Sequence, residues 1–363
     1  MRTLSFVALF LIALLQGMGQ TADNSKPSLP KEPREVFAAA APLYDFSDPA
    51  LKPWHLKATY QLYDEKGNPA EKGTFEYWWA SPQMHRSTWT RADATWTDWV
   101  TADGALYRKE SGKPLRFFER KLESILLHPL PAPGLLDSGI LKLDSKMIPE
   151  GQKNLACVGA ALQSEYEDKK QSPSLETGAR YCFDLLTMAL RTSYSGMIAT
   201  EFDHVVKIQG RYLARQVAIS DGGKPSLFSA SVETIEWIDS SDAMLSPPAD
   251  AVLVRAATSQ ATPSQTGSAA KGFSTNNLTF FCPTNWKKTH EQNVVLLAAM
   301  VGTDGRVHDM EVLASPSPLL SNPAVDAVKK WIFGPYQLNG TAVEVETVVD
   351  VIFVLDHQPG SND

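Results

Sequence analysis

Three cysteines in 363 residues, with no Cys-x-x-Cys spacing, and seven histidines scattered singly leave this sequence without a zinc signature. Basic residues are outnumbered, 34 Lys and Arg against 41 Asp and Glu, so no basic stripe can neutralise phosphates and nucleic acid is excluded as a partner. After the first residues, no apolar stretch approaches the roughly 20 residues that cross a bilayer as a helix. Phosphate loops and dinucleotide turns are missing too. Short matches to catalytic motifs fail on their context. Gly272-Phe-Ser274-Thr-Asn lacks the second glycine of a nucleophile elbow, and Ser28-Leu-Pro-Lys31 has no partner motifs in its proline-rich surroundings. His290-Glu291 lacks a second histidine, and Asp203-His204 are neighbours on a strand whose side chains face apart. No catalytic residue, cofactor or metal is expected, and the chain reads as a binder.

What is present begins with Met1-Arg2 ahead of the apolar run Leu4 to Leu15, followed by Gly17 and Gly19 at the spacing that signal peptidase reads. This pattern predicts a cleavable signal over 1–19, with an uncleaved anchor as the alternative. Cleavage makes the mature chain periplasmic or secreted and not an integral membrane protein. Export places the cysteines in an oxidising compartment. Cys157 and Cys182 lie in strand-like segments on either side of a polar excursion, which predicts a disulfide between them and leaves Cys282 over.

The organisation that follows is a proline-containing segment over 20–42, a β-rich domain over 43–250, a linker over 251–277 and a small domain over 278–357. From Ala256 to Asn277 the composition falls to Ala, Ser, Thr, Gln, Gly and Pro, with almost nothing to bury. The first domain alternates apolar and polar residues in successive hairpins, which predicts an antiparallel β meander curved into a half-barrel. Between Leu115 and Leu127, Leu115, Phe118, Leu122, Ile125 and Leu126 recur at helical spacing with Arg116, Glu119, Arg120 and Glu123 opposite. That is an amphipathic helix expected to cover the concave face. The architecture is similar to the half-barrel of periplasmic lipoprotein carriers, though no motif carries the similarity.

Tryptophan concentrates in the first half of this domain. Tyr60, Phe75, Tyr77, Trp79, Trp89 and Trp96 either line a cavity for an apolar ligand or fill a β core beneath the helix. Trp78 beside Trp79 must face the other way and needs a cover of its own.

The last eighty or so residues read strand, turn, strand, helix, strand. Asp304-Gly305 supplies the positive φ of a tight hairpin, and Ser321 or Asn322 caps a helix to Trp331 with Pro323 at its first position. Val325, Val328 and Ile332 are expected on its sheet-facing side. A long strand from Val343 to Leu355 ends the unit and is easily an edge, either as plain scaffolding or as a docking site. The run Thr303-Asp304-Gly305-Arg306-Val307, then Trp331, Phe333, Pro335 and Gly340, resembles the C-terminal domain of TonB-family energy transducers. The resemblance implies a β-β-α-β fold within an overall α+β chain, and an envelope protein as partner, linked to TonB-type transmembrane transport. It further implies that the partner adds a strand along Val345, Thr347, Val349 and Val351.

Overall fold

The computed structural model describes residues 32–64, 66–131, 141–150, 153–162, 179–195, 198–221, 226–239, 243–255, 294–334, 337–338, 341–342 and 344–353. The expected signal, Cys282, the linker from 256 onward, Pro335, Gly340 and the strand's end at Leu355 lie outside these residues, as do Ser28-Lys31, Ser274 and His290-Glu291.

Among the described residues, thirteen strands form one antiparallel sheet, a half-barrel with two edge strands. In chain order they are β1 (Trp54–Tyr63), β2 (Pro69–Ser81), β3 (Met84–Arg91), β4 (Ala94–Val100) and β5 (Leu106–Gly112), then β6 (Leu141–Glu150), β7 (Lys153–Leu162), β8 (Ala179–Asp184) and β9 (Leu190–Ser195). β10 (Ile198–Ile208), β11 (Arg211–Asp221), β12 (Ser226–Trp237) and β13 (Val252–Arg255) complete the sheet. Its order is β13-β5-β4-β3-β2-β1-β12-β11-β10-β9-β8-β7-β6, so every pairing except β1 with β12 and β13 with β5 is between strands consecutive in sequence. Alternation in β1 is regular: Trp54, Leu56, Ala58, Tyr60 and Leu62 are buried and the residues between them are half-buried.

Among the described residues, two α-helices lie against the sheet. α1 (Pro33–Ala40) starts on proline and buries Val36, Phe37 and Ala40, with Phe37 edge-on to Tyr181 and Phe183 of β8. α2 (Phe117–Leu127) buries Phe117, Phe118, Leu122, Leu126 and Leu127. The expected boundaries at 43 and 250 leave out α1 and β13, both of which belong to this unit. α1 was masked by the surrounding prolines. β13 was masked because its Val252, Leu253 and Val254 are exposed, so no burial pattern marks it.

The second sheet has three strands, β14 (Val294–Val301), β15 (Val307–Ala314) and β18 (Val345–Ile352), in the order β15-β14-β18. α3 (Pro318–Val328) packs on it, and a two-residue pair, β16 (Gln337–Leu338) with β17 (Thr341–Ala342), precedes β18. α3 begins earlier than the sequence suggested. Ser317 caps it by accepting a hydrogen bond from Leu319 N–H, Pro318 takes the first position, and Pro323 falls inside. The stripe facing the sheet is Leu320, Ala324 and Val328, while Val325 is half-buried and Ile332 lies past the helix end, 57% exposed.

Candidate partner edge and aromatic face

β14 pairs with β18 without a break, from Val294 opposite Ile352 to Val301 opposite Val345. Among the described residues β18 has no strand on its other side, which makes it an edge. Val345, Val349 and Val351 are buried against α3 together with Leu297, Leu320 and Ala324. These expected edge residues, with the half-buried Thr347 between them, therefore face the helix. What the edge offers an incoming segment is its main chain.

The turn that sets this sheet is fixed by Gly305, which has φ of 78°. A Cβ there would stand 2.0 Å from the Phe333 carbonyl oxygen, and Phe333 N–H donates to the Gly305 carbonyl at 2.8 Å. Asp304 closes the same turn by accepting from Arg306 N–H at 2.9 Å. Val307 is buried, and Trp331 lies 6.0 Å from Phe333 ring to ring.

The other candidate set falls on the concave face of the large sheet. Strand register places Trp54 opposite Trp79, Leu56 opposite Tyr77, Ala58 opposite Phe75, and Phe75 in turn opposite Trp89, which faces Trp96. Tyr60, Phe75, Tyr77, Trp79, Trp89 and Trp96 thus share one face. The first five are buried in the main core, and Trp96 is half-buried with the Arg108 guanidinium 4.2 Å over its ring. Trp78, on the convex face, is covered by the His55 ring at 4.2 Å and the Arg86 guanidinium at 4.3 Å.

Of the residues expected on the polar side of α2, Arg116 and Arg120 keep over a third of their side-chain surface, whereas Glu119 is inside. Glu119 is fully buried and accepts from Tyr60 Oη at 2.5 Å, Arg91 Nη1 at 2.5 Å and the Arg116 backbone N–H at 2.8 Å. Gly73 opposite Tyr60 makes room for that ring, since a Cβ would come within 2.3 Å of its hydroxyl. Burial, and then the hydrogen bond to Glu119, push the Tyr60 hydroxyl well above its ordinary range and keep it a donor. One helical turn on, burial raises Glu123 to about 7, against a hydrogen bond from Ser87. His85, stacked on Tyr77 at 5.6 Å, is lowered by burial to about 4.

Cys157 and Cys182 are joined, directly opposite each other on β7 and β8 with Cα atoms 4.0 Å apart. They pack with Leu155 and Tyr194 in a small cluster separate from the main core. No group of ligating side chains able to hold a metal occurs among the described residues.

The contact between the two units was not visible in the sequence. Glu346 of β18 pairs with Arg120 at 2.5 Å and with Lys121 at 2.9 Å, and Glu311 of β15 accepts from Phe117 N–H at 2.9 Å. Leu296, Ala298, Leu313 and Ala314 enter the same buried cluster as Phe117, Phe118 and Phe228. The only trace in the sequence is that β14 is apolar on both faces.

Residues 282–355 match the family described as Gram-negative bacterial TonB protein C-terminal. None of the curated proteins compared with the chain matches it. Among solved structures, a DUF1329 family protein from Desulfovibrio piger is similar over 56% of this chain and 92% of its own, at 11% identity and a TM-score of 0.36. A LolA superfamily protein from Nitrosomonas europaea is similar over 59% and 97% respectively, at 8% identity and a TM-score of 0.35.

Proposed function

From a C-terminal unit that matches the TonB C-terminal family, we propose that this protein is a non-enzymatic binder of the Gram-negative envelope. It captures an extended segment of another envelope protein along β18, in a periplasmic setting. The observation that carries this reading is the continuous pairing of β18 on one side only. An added strand gains main-chain hydrogen bonds there without disturbing the buried Val345, Val349 and Val351. No helix among the described residues is long and apolar enough to cross a membrane.

The test uses two adjacent prolines. Along an antiparallel edge, backbone N–H groups point alternately to the neighbouring strand and outward, so one of Val348→Pro and Val349→Pro removes an outward donor while sparing the β14 ladder. A photo-crosslinker placed at Thr347 in cells should give an adduct with one envelope protein. That adduct should disappear in whichever proline variant still melts cooperatively. Its persistence there, or adducts only with a second copy of this chain, would refute strand capture.

A second reading has its own observation. The aromatic set of β1 to β4 shares one face with the apolar core of a half-barrel, which suits a carrier of a lipid or other apolar ligand. In the structure described, that face is filled.

A further inference from the structure

We infer that the TonB-like unit is a removable cover for the apolar interior of the half-barrel. The inference rests on the carrier reading just given and adds what controls entry. The three-stranded sheet has two apolar faces with different partners. One, formed by Val295, Leu297, Ala299 and Val301 of β14, is joined to α3 of the same unit. The other, formed by Leu296 and Ala298 with Leu313 and Ala314 of β15, seals part of the core that contains Phe117, Phe118, Phe228 and Ile219.

The two attachments differ in kind. α3 is held by Leu320, Ala324 and Val328, all fully buried and all in the same unit. The seal on the half-barrel instead combines a small apolar patch with three polar contacts, Glu346 to Arg120 and to Lys121, and Glu311 to the first N–H of α2. Arg120 retains 36% of its side-chain exposure and Lys121 18%, so water competes for this clamp as it does not for the buried Glu119. Burial already raises Glu311 against its hydrogen bond from Phe117. Asp350, on the same face of β18 as Glu346, is raised by burial and then by the nearby charge of Asp221 on β11. Such an arrangement holds the cover shut and lets it leave without unfolding either sheet. The guest is an amphiphile whose apolar chain takes the place of Leu296, Ala298 and Leu313.

The full chain with both charges reversed, Arg120→Glu with Lys121→Glu, tests this, using N-phenylnaphthylamine as the apolar probe. Its fluorescence titration should show binding strengthened about fivefold or more, because apparent affinity scales with the open fraction. Adding Glu346→Lys should return it towards the parent. Scattering should report separation of the units in the double variant and compaction in the triple one. Units that separate with no gain in probe binding would overturn the carrier reading and the cover with it. Strong probe binding already present in the parent, and unmoved by the reversal, would leave the carrier reading standing and overturn the cover alone. Hydrogen exchange on the unaltered protein gives an independent check: the Phe117 amide should exchange at least about tenfold faster than that of Ala58 in β1. Exchange of the two at one common rate would also overturn the proposal.

Discussion

Glu123 and His85 stand on opposite sides of a pH balance. Burial raises Glu123 from 4.5 to about 7, so the stability it contributes is complete below pH 4.5 and is lost as pH rises through 7. Burial lowers His85 from 6.5 to about 4, so its contribution is complete above pH 6.5 and is lost as pH falls through 4. Each is worth up to about 3 kcal/mol, and between pH 4.5 and 6.5 they oppose each other. Glu123→Gln removes one side. Its unfolding free energy should therefore rise from pH 4.5 to 6.5 more steeply than that of the parent, measured by urea denaturation at each pH. Parallel profiles would show that Glu123 ionises as freely in the folded protein as in the unfolded one. At this scale the sequence disclosed what is local, such as Gly305 in its turn. It could not disclose Glu119, whose partners Tyr60 and Arg91 come from positions 59 and 28 residues away. Helical periodicity marked Glu119 as polar and so as solvated.

Elements with a clean alternation of apolar and polar residues were legible to their ends, β1 from Trp54 to Tyr63 being one. α3 was placed late because the stretch holds two cap-and-proline signals. The earlier one starts the helix, since only a helix that includes Leu320 completes the buried row of Leu320, Ala324 and Val328. β13 escaped notice because an exposed edge strand has no pattern of burial to show. The disulfide is an element-scale feature: it ties β7 to β8 across a sequence separation of 25. Reduction should lower stability by about 2–4 kcal/mol, read as a shift of the denaturation midpoint with and without reductant. An unchanged midpoint would mean that the rest of the sheet already holds these two strands. Adduct formation at Thr347 should be unaffected, because the bond lies in a separate cluster from the β18 core.

For the whole molecule, composition pointed to two units joined by a linker and said nothing of a contact between them, and the structure gives them a shared apolar cluster. Continuous hydrophobicity in β14 announced that both of its faces are covered, but sequence does not say by what, because the cover on one face comes from α2, more than a hundred residues earlier. The shared cluster predicts a single calorimetric transition for the parent chain. Reversing Arg120 and Lys121 should divide it into two, the smaller belonging to the C-terminal sheet. One undivided peak in that variant would mean that the apolar patch alone couples the units.

The knot around Glu119 decides what stays behind when the units part. Tyr60, Arg91 and the first turn of α2 are bound through a carboxylate with no exposed surface, so this helix remains on the sheet and acts as a fixed jamb. The aperture is then a slot along one side of α2, with the aromatic wall of β1 to β4 still roofed. A slot of that shape admits a slender chain or a flat ring system edge-on and turns away a branched, globular body, so the choice of guest is made by the doorway before any side chain inside has touched it.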